Sequence, residues 1–89
     1  MERTVTVVPE DGLHARPASQ FVETATEFDA DVRLGRADAD DLAPAASMLA
    51  VTGLGVSHGE SVRLVAEGDD AEAALDALEA ILSTPEATH

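Results

Sequence analysis

Ser61-Val62-Arg63-Leu64-Val65-Ala66 runs through Glu67-Gly68-Asp69-Asp70 into Ala71-Glu72-Ala73-Ala74-Leu75-Asp76-Ala77-Leu78-Glu79-Ala80-Ile81-Leu82. In the first six residues Val62, Leu64 and Ala66 alternate with Ser61, Arg63 and Val65, the period of a strand with one buried face. From Ala71 the spacing changes, and Ala71, Leu75, Leu78 and Leu82 recur three and four residues apart as one buried stripe of a helix. Gly68 separates the two elements. Asp69 and Asp70 stand where they cap a helix and complement its dipole, with Glu72 three residues after Asp69, as a capping box requires. Pro85 is expected to end the helix.

The rest of the chain repeats this grammar outward from that unit. Thr4-Val5-Thr6-Val7-Val8 alternates as a strand and is broken by Pro9-Glu10-Asp11-Gly12. Pro17 suits the first position of a helix whose buried stripe is Ala18, Phe21, Val22, Ala25 and Phe28, with Gln20, Glu23 and Glu27 on its wet face. Asp31-Val32-Arg33-Leu34 reads as a short strand, and the acidic connection Asp38-Ala39-Asp40-Asp41 leads to a brief third strand around Leu42. Ala46 to Thr52 reads as one or two helical turns stopped by Gly53 and Gly55. A turn at Ser57-His58-Gly59 precedes the strand from Ser61. The order β-α-β-β-α-β-α, without repeat or linker, predicts an α+β open-faced β-sandwich: a four-stranded antiparallel sheet with three helices on one face, in a single domain over residues 1–89.

Composition limits what such a domain does. Eighty-nine residues leave much of the surface wet, so any chemistry is expected at the surface and not in a deep cleft. With no cysteine there is neither a disulfide framework nor thiolate chemistry. Residues 1–5 lack the basic and apolar regions of a signal peptide, and no apolar run approaches the ~20 residues that span a bilayer, so the expectation is a cytoplasmic protein without membrane insertion. Eighteen Asp and Glu face five basic residues, all arginine, for a net charge of −13. That field repels nucleic acid. It also destabilises a compact state in dilute buffer, whereas at molar salt the Debye length falls to ~3 Å and the repulsion is screened, which points to a halophilic host. A face for one basic partner, or weak binding of divalent cations, would also use acids, but these are scattered along the whole chain and not gathered in a tail.

Gly12-Leu13-His14-Ala15-Arg16-Pro17-Ala18 carries the chemistry. It sets a histidine before a helix start, where free backbone N–H groups and a partial positive charge stabilise an anion. The same field disfavours the protonated imidazole and leaves one ring nitrogen free to attack phosphorus. Arg16 offers permanently charged donors to phosphoryl oxygens. From the residues alone, a solvated cap or a partly packed ring is the more common role for such a histidine.

The stretch from Gly12 to Ala18 resembles the active-site signature of the HPr phosphocarriers of the phosphoenolpyruvate-dependent sugar phosphotransferase system. Ser47-Met48-Leu49-Ala50-Val51-Thr52-Gly53-Leu54-Gly55-Val56 resembles the family's regulatory-serine helix, and Gly59-Glu60 to Leu82 its last strand and helix, so the likeness covers nearly the whole chain. Residues 38–41 hold a two-residue expansion. The resemblance implies that His14 accepts a phosphoryl group on Nδ1 from the phosphohistidine of enzyme I and hands it to a histidine of a sugar-specific enzyme IIA. His14, Ala15, Arg16 and Pro17 would hold the phosphate. The protein would then be a stoichiometric carrier and not an enzyme, without cofactor or metal, and would act as a monomer.

The resemblance also makes Ser47 the match of a serine that a regulatory kinase phosphorylates in some members; from the residues the simpler reading is a plain helix-start residue. Ala18, Ser19, Met48, Leu49 and Thr52 match the apolar patch that docks onto partners, although of two adjacent helical residues such as Met48 and Leu49 at least one is expected in the core. Thr52 replaces a usually larger apolar residue and Glu23 stands where many relatives carry a basic one. Partner surfaces are therefore expected to rely less on acidic residues, or to work in high salt. His58 and His89 read as spectators, and Asp40-Asp41 and Asp69-Asp70 as a solvated loop and a helix cap without the spacing of a calcium loop. A regulatory module acting through Ser47 and the Met48 surface is the alternative, and a stand-alone enzyme is disfavoured because no second acid, base or metal constellation accompanies His14.

Overall fold

The computed structural model describes residues 1–9, 12 and 15–84, with Ala15 as backbone only. Seven elements follow in order: β1 (Glu2–Thr6), α1 (Ala15–Thr26), β2 (Asp31–Arg36), β3 (Ala43–Pro44), α2 (Met48–Gly53), β4 (Ser61–Glu67) and α3 (Ala71–Ser83). The strands form one antiparallel sheet ordered β1-β4-β2-β3. Register follows the alternation: Val5 faces Val62 and Leu34 faces Leu64, all four buried, while Thr4, Thr6 and Arg33 point to the solvated face. Helices α1 and α3 pack together, α3 lies on β4 and β1, and α2 leans on α1 and β3. The expected α+β open-faced sandwich is the observed fold.

The helices bury the stripes read from the sequence. Ala18 and Phe21 of α1 and Ala74, Leu75, Leu78 and Leu82 of α3 are fully buried with Val62, Leu64 and Leu34 of the sheet, and Val22, Phe28 and Ile81 pack against them in part. Apolar burial on this scale is the main favourable term for so small a domain. Among the described residues no helix is long and apolar enough to cross a membrane, and no group of three or more His, Cys, Asp or Glu side chains could hold a metal ion.

Several boundaries differ from expectation for identifiable reasons. β1 ends at Thr6, opposite Ser61, because the turn before β4 interrupts the ladder; Val7 still pairs with it through Val7 N–H to Glu60 O (2.8 Å) and Gly59 N–H to Val7 O (2.8 Å). α1 begins at Ala15, so Pro17 is its third residue and not its first; the first-turn amides have no intrahelical acceptor, and a missing N–H there costs nothing. β2 extends to Arg36, and β3 is only Ala43–Pro44, with proline tolerated at a sheet edge. The capping box at Asp69 and Glu72 is replaced by a different device. Asp70 is the N-cap without a side-chain bond to its own helix, and its carboxylate instead accepts the amides of Asp29 (2.9 Å) and Ala30 (2.8 Å). Gly68, at φ +140°, permits this approach, since a Cβ there would stand 2.9 Å from Ala30 Cα. Pro85 and His89 lie outside the described residues.

Candidate functional site

The chain leading to the predicted phosphate site is fixed on three sides. Val7 is fully buried and paired with the turn before β4, and Val8 N–H donates to Leu82 O at the end of α3 (2.8 Å). The Nδ1 of His58 lies 2.7 Å from Val8 O, and against a carbonyl that nitrogen must carry the proton. His58, read as a spectator, therefore ties the turn to this segment. Gly12 is buried with φ +66°, its amide donating to Pro9 O (2.9 Å). A Cβ at residue 12 would meet Val56 O at 2.4 Å and Ser57 Cα at 2.8 Å. Glycine is required twice over, by the left-handed backbone and by contact with another backbone.

Three residues after Gly12, α1 begins at Ala15. His14 itself lies outside the described residues, as do Glu10, Asp11 and Leu13. The anchors on either side of it are described: Gly12 against Val56–Ser57, and the first turn of α1. That turn contains no acidic residue, in a chain with eighteen of them. Arg16 is exposed at its second position and Pro17 is buried. Arg3, Arg33, Arg36 and Arg63 each pair with a carboxylate. Arg16 pairs with none among the described residues.

The pair Arg3 makes with Asp76 (2.6 Å) and Glu79 (2.8 Å) joins β1 to α3 and belongs to the scaffold. Hydrogen bonding, first to Asp76 and then to Glu79, raises its pKa above the ordinary arginine value.

α2 forms the neighbouring surface. Ser47 is its N-cap, the hydroxyl oxygen accepting Ala50 N–H (3.2 Å), which satisfies an otherwise free helix amide. Ser47, Ala50, Val51 and Leu54 form the inward stripe at i, i+3, i+4 and i+7, with Val51 fully buried. Met48 and Leu49 therefore both face solvent, at 41% and 85% exposure, and neither is the core residue expected of the pair. A six-residue helix held by one narrow stripe leaves the remainder of its circumference open. Thr52 is half-buried and its hydroxyl donates to Met48 O (2.9 Å) and Leu49 O (3.3 Å), which keeps it on the helix surface. Ser19 is half-buried. Ala18 is fully buried and offers partners no surface; its place in the docking patch is corrected, because it falls on the same stripe as Phe21 and Val22.

Gly12 and Arg16 thus belong to the loop before α1 and its first turn, and Ser47, Met48 and Leu49 to the start of α2, a helix that packs against α1. Two further residues, Arg36 and Glu60, reach the same region from the sheet. Nothing in their sequence context marks them, since the pair spans 24 positions and becomes apparent only when β2 and β4 are laid side by side.

The family described as PTS HPr component phosphorylation site matches residues 1–84. The phosphocarrier protein HPr of Haloferax volcanii, a halophile, is 90% identical over 87 residues, covering 98% of each chain. HPr of Streptomyces coelicolor is 49% identical over 77 residues, 86% of this chain and 82% of that one. Among solved structures, HPr from Bacillus anthracis superposes with a TM-score of 0.86 at 34% identity, covering 92% of this chain and 95% of that one. The acidic composition agrees with the halophilic relative, and the match spans both helix starts, the loop and the sheet behind them: the chain belongs to the HPr family, the phosphocarriers of the phosphotransferase system.

Proposed function

We propose that His14 carries the phosphoryl group in a relay from phospho-enzyme I to a sugar-specific enzyme IIA in the cytoplasm. The observation that supports this most is the pair of anchors beside His14. Gly12 is wedged on Val56–Ser57, α1 starts at Ala15 without an acid in its first turn, and exposed Arg16 is the one arginine without a described carboxylate partner. An anion delivered between these anchors meets free helix amides and a guanidinium in a molecule that is otherwise strongly negative.

In the relay the lone pair on His14 Nδ1 attacks the phosphorus of the donor phosphohistidine. A P–N bond to His14 forms as the donor's P–N bond breaks, and the donor imidazole leaves with the electron pair. Ala15 and Arg16 serve the oxygens during this exchange, while Pro17 pins the helix start. The second transfer is the same displacement in the other direction, with His14 as leaving group. The carrier acts as a single monomeric domain because one face must meet the two partners in turn, and exposed Met48 and Leu49 supply the apolar part of that face with Ser19 and Thr52 at its border.

The N-cap geometry also supports a regulatory role for Ser47. A kinase placing a phosphoryl group there would set roughly −2 charge at the start of α2, beside the docking residues, and repel acidic partner surfaces.

Incubation with phosphoenolpyruvate and cognate enzyme I tests the relay. The expected product is an acid-labile, base-stable adduct of one phosphoryl group, absent in His14→Ala and formed at least about tenfold more slowly in Arg16→Met. A full-yield adduct on the His14→Ala protein would exclude His14 as the carrier.

A further inference from the structure

Arg36 leaves the end of β2 and reaches the back of the candidate site. Its guanidinium donates to the carbonyl oxygens of Leu54 (3.3 Å) and Gly55 (3.2 Å), just past the end of α2, and pairs with the Glu60 carboxylate. The other oxygen of Glu60 accepts the Ser57 amide (2.7 Å). One ion pair thus holds the segment 54–60 at three points. Val56 of that segment is fully buried and Leu54 packs partly against the core, while Gly55, Ser57, His58 and Gly59 are exposed and are held by these polar bonds.

The inner edge of this segment is the surface on which Gly12 rests, Val56 O and Ser57 Cα. Glu60 O and Gly59 N–H bond Val7, and His58 bonds Val8, so the same segment also holds the chain that enters the loop. The side chains of Arg36 and Glu60 are 35% and 36% exposed, and a pair that open to solvent adds little to global stability. What it sets is geometry, by charge-assisted bonds to two carbonyls and one amide whose positions locate Gly12, two residues before His14.

We propose that Arg36 and Glu60 are positioning residues for phosphoryl transfer: through the 54–60 segment they fix the loop from which His14 reacts. This rests on the reading of His14 as the phosphoryl carrier. Loss of either side chain releases the segment and lets the loop shift, and a misplacement of about 1 Å in a displacement reaction costs up to about a hundredfold in rate. No bond to phosphorus is made or broken by either residue.

The test compares wild type with Glu60→Ala, Glu60→Gln, Arg36→Met and Asp70→Ala, each supplied with phosphoenolpyruvate and cognate enzyme I in molar KCl. Maximal rate, KM for the carrier, and thermal midpoint are measured. Glu60→Ala and Arg36→Met are expected to lower the maximal rate about ten- to a hundredfold with little change in KM or midpoint. Glu60→Gln should recover part of the rate, because its single amide oxygen keeps one of the two bonds, from Ser57 N–H or from Arg36, while its amide nitrogen cannot accept the other. Asp70→Ala removes the acceptor of the Asp29 and Ala30 amides at the far end of α1, about 18 Å of helix from Ala15, and should lower the midpoint while keeping the rate.

The proposal is overturned if Glu60→Ala and Arg36→Met transfer at wild-type rate. It is equally overturned if they unfold, or lose rate only in step with the midpoint. If wild type itself gains no phosphoryl group on His14, the carrier reading has failed and the positioning role falls with it.

Discussion

Gly12→Ala is expected to lower phosphoryl transfer at least about a hundredfold and to destabilise the fold by about 3 kcal/mol or more. Two independent costs coincide at this residue. A non-glycine side chain at φ +66° is strained, and the new Cβ would stand 2.4 Å from Val56 O and 2.8 Å from Ser57 Cα. Those atoms are backbone, and they cannot give without moving a segment that Arg36 and Glu60 hold. Either the segment or the His14 loop must move, and the reactive geometry is lost in both cases. Initial phosphorylation rates together with a thermal melt check this. A wild-type rate in Gly12→Ala would show that the loop position is irrelevant to the reaction.

Leu78→Ala should have the largest effect on folding. Leu78 is fully buried on the stripe of α3 that covers the sheet, among Leu75, Leu82 and Leu64. Truncating a leucine in such a place costs about 3–4 kcal/mol, from lost apolar transfer plus an unfilled cavity. Total stabilities run at about 5–15 kcal/mol, so a domain of this size retains little margin, and its midpoint should fall roughly 15–25 °C. Leu78→Met, which keeps the volume, should cost less than about 1.5 kcal/mol. The loss should be worst in dilute buffer, where a net charge of −13 is unscreened. Melts of both variants across a KCl series measure it, and equal midpoints for the two would contradict this picture of the core.

How far the sequence alone reaches can be seen residue by residue. Local periodicity carried the sheet and the stripes of α1 and α3, because Val62, Leu64 and Ala66 or Leu75, Leu78 and Leu82 report their own burial through spacing. The candidate site stands out in the sequence where a glycine, a histidine, an arginine and a helix start come together in seven residues. Met48 and Leu49 were harder, since in a six-residue helix the inward stripe is set by Val51 and Leu54 and not by which residues are most apolar. Ala18 carries two expectations, a place in the buried stripe from spacing and a place in the docking patch from the resemblance, and it fills the core. The contacts that escaped are long-range: Asp70 to Asp29 and Ala30, Arg36 to Leu54, Gly55 and Glu60, and His58 to Val8. No local pattern encodes them, because each joins turns that become neighbours only after the sheet forms.

The relay itself is most directly tested by a single-turnover chase. Protein labelled with radioactive phosphate from phosphoenolpyruvate through enzyme I is freed of donor, mapped for its labelled residue, and mixed with enzyme IIA. The expected result is label on His14 alone, passing stoichiometrically to the acceptor histidine. Label on any other residue, or label on His14 that no acceptor removes, would contradict a phosphoryl carrier working from the start of α1.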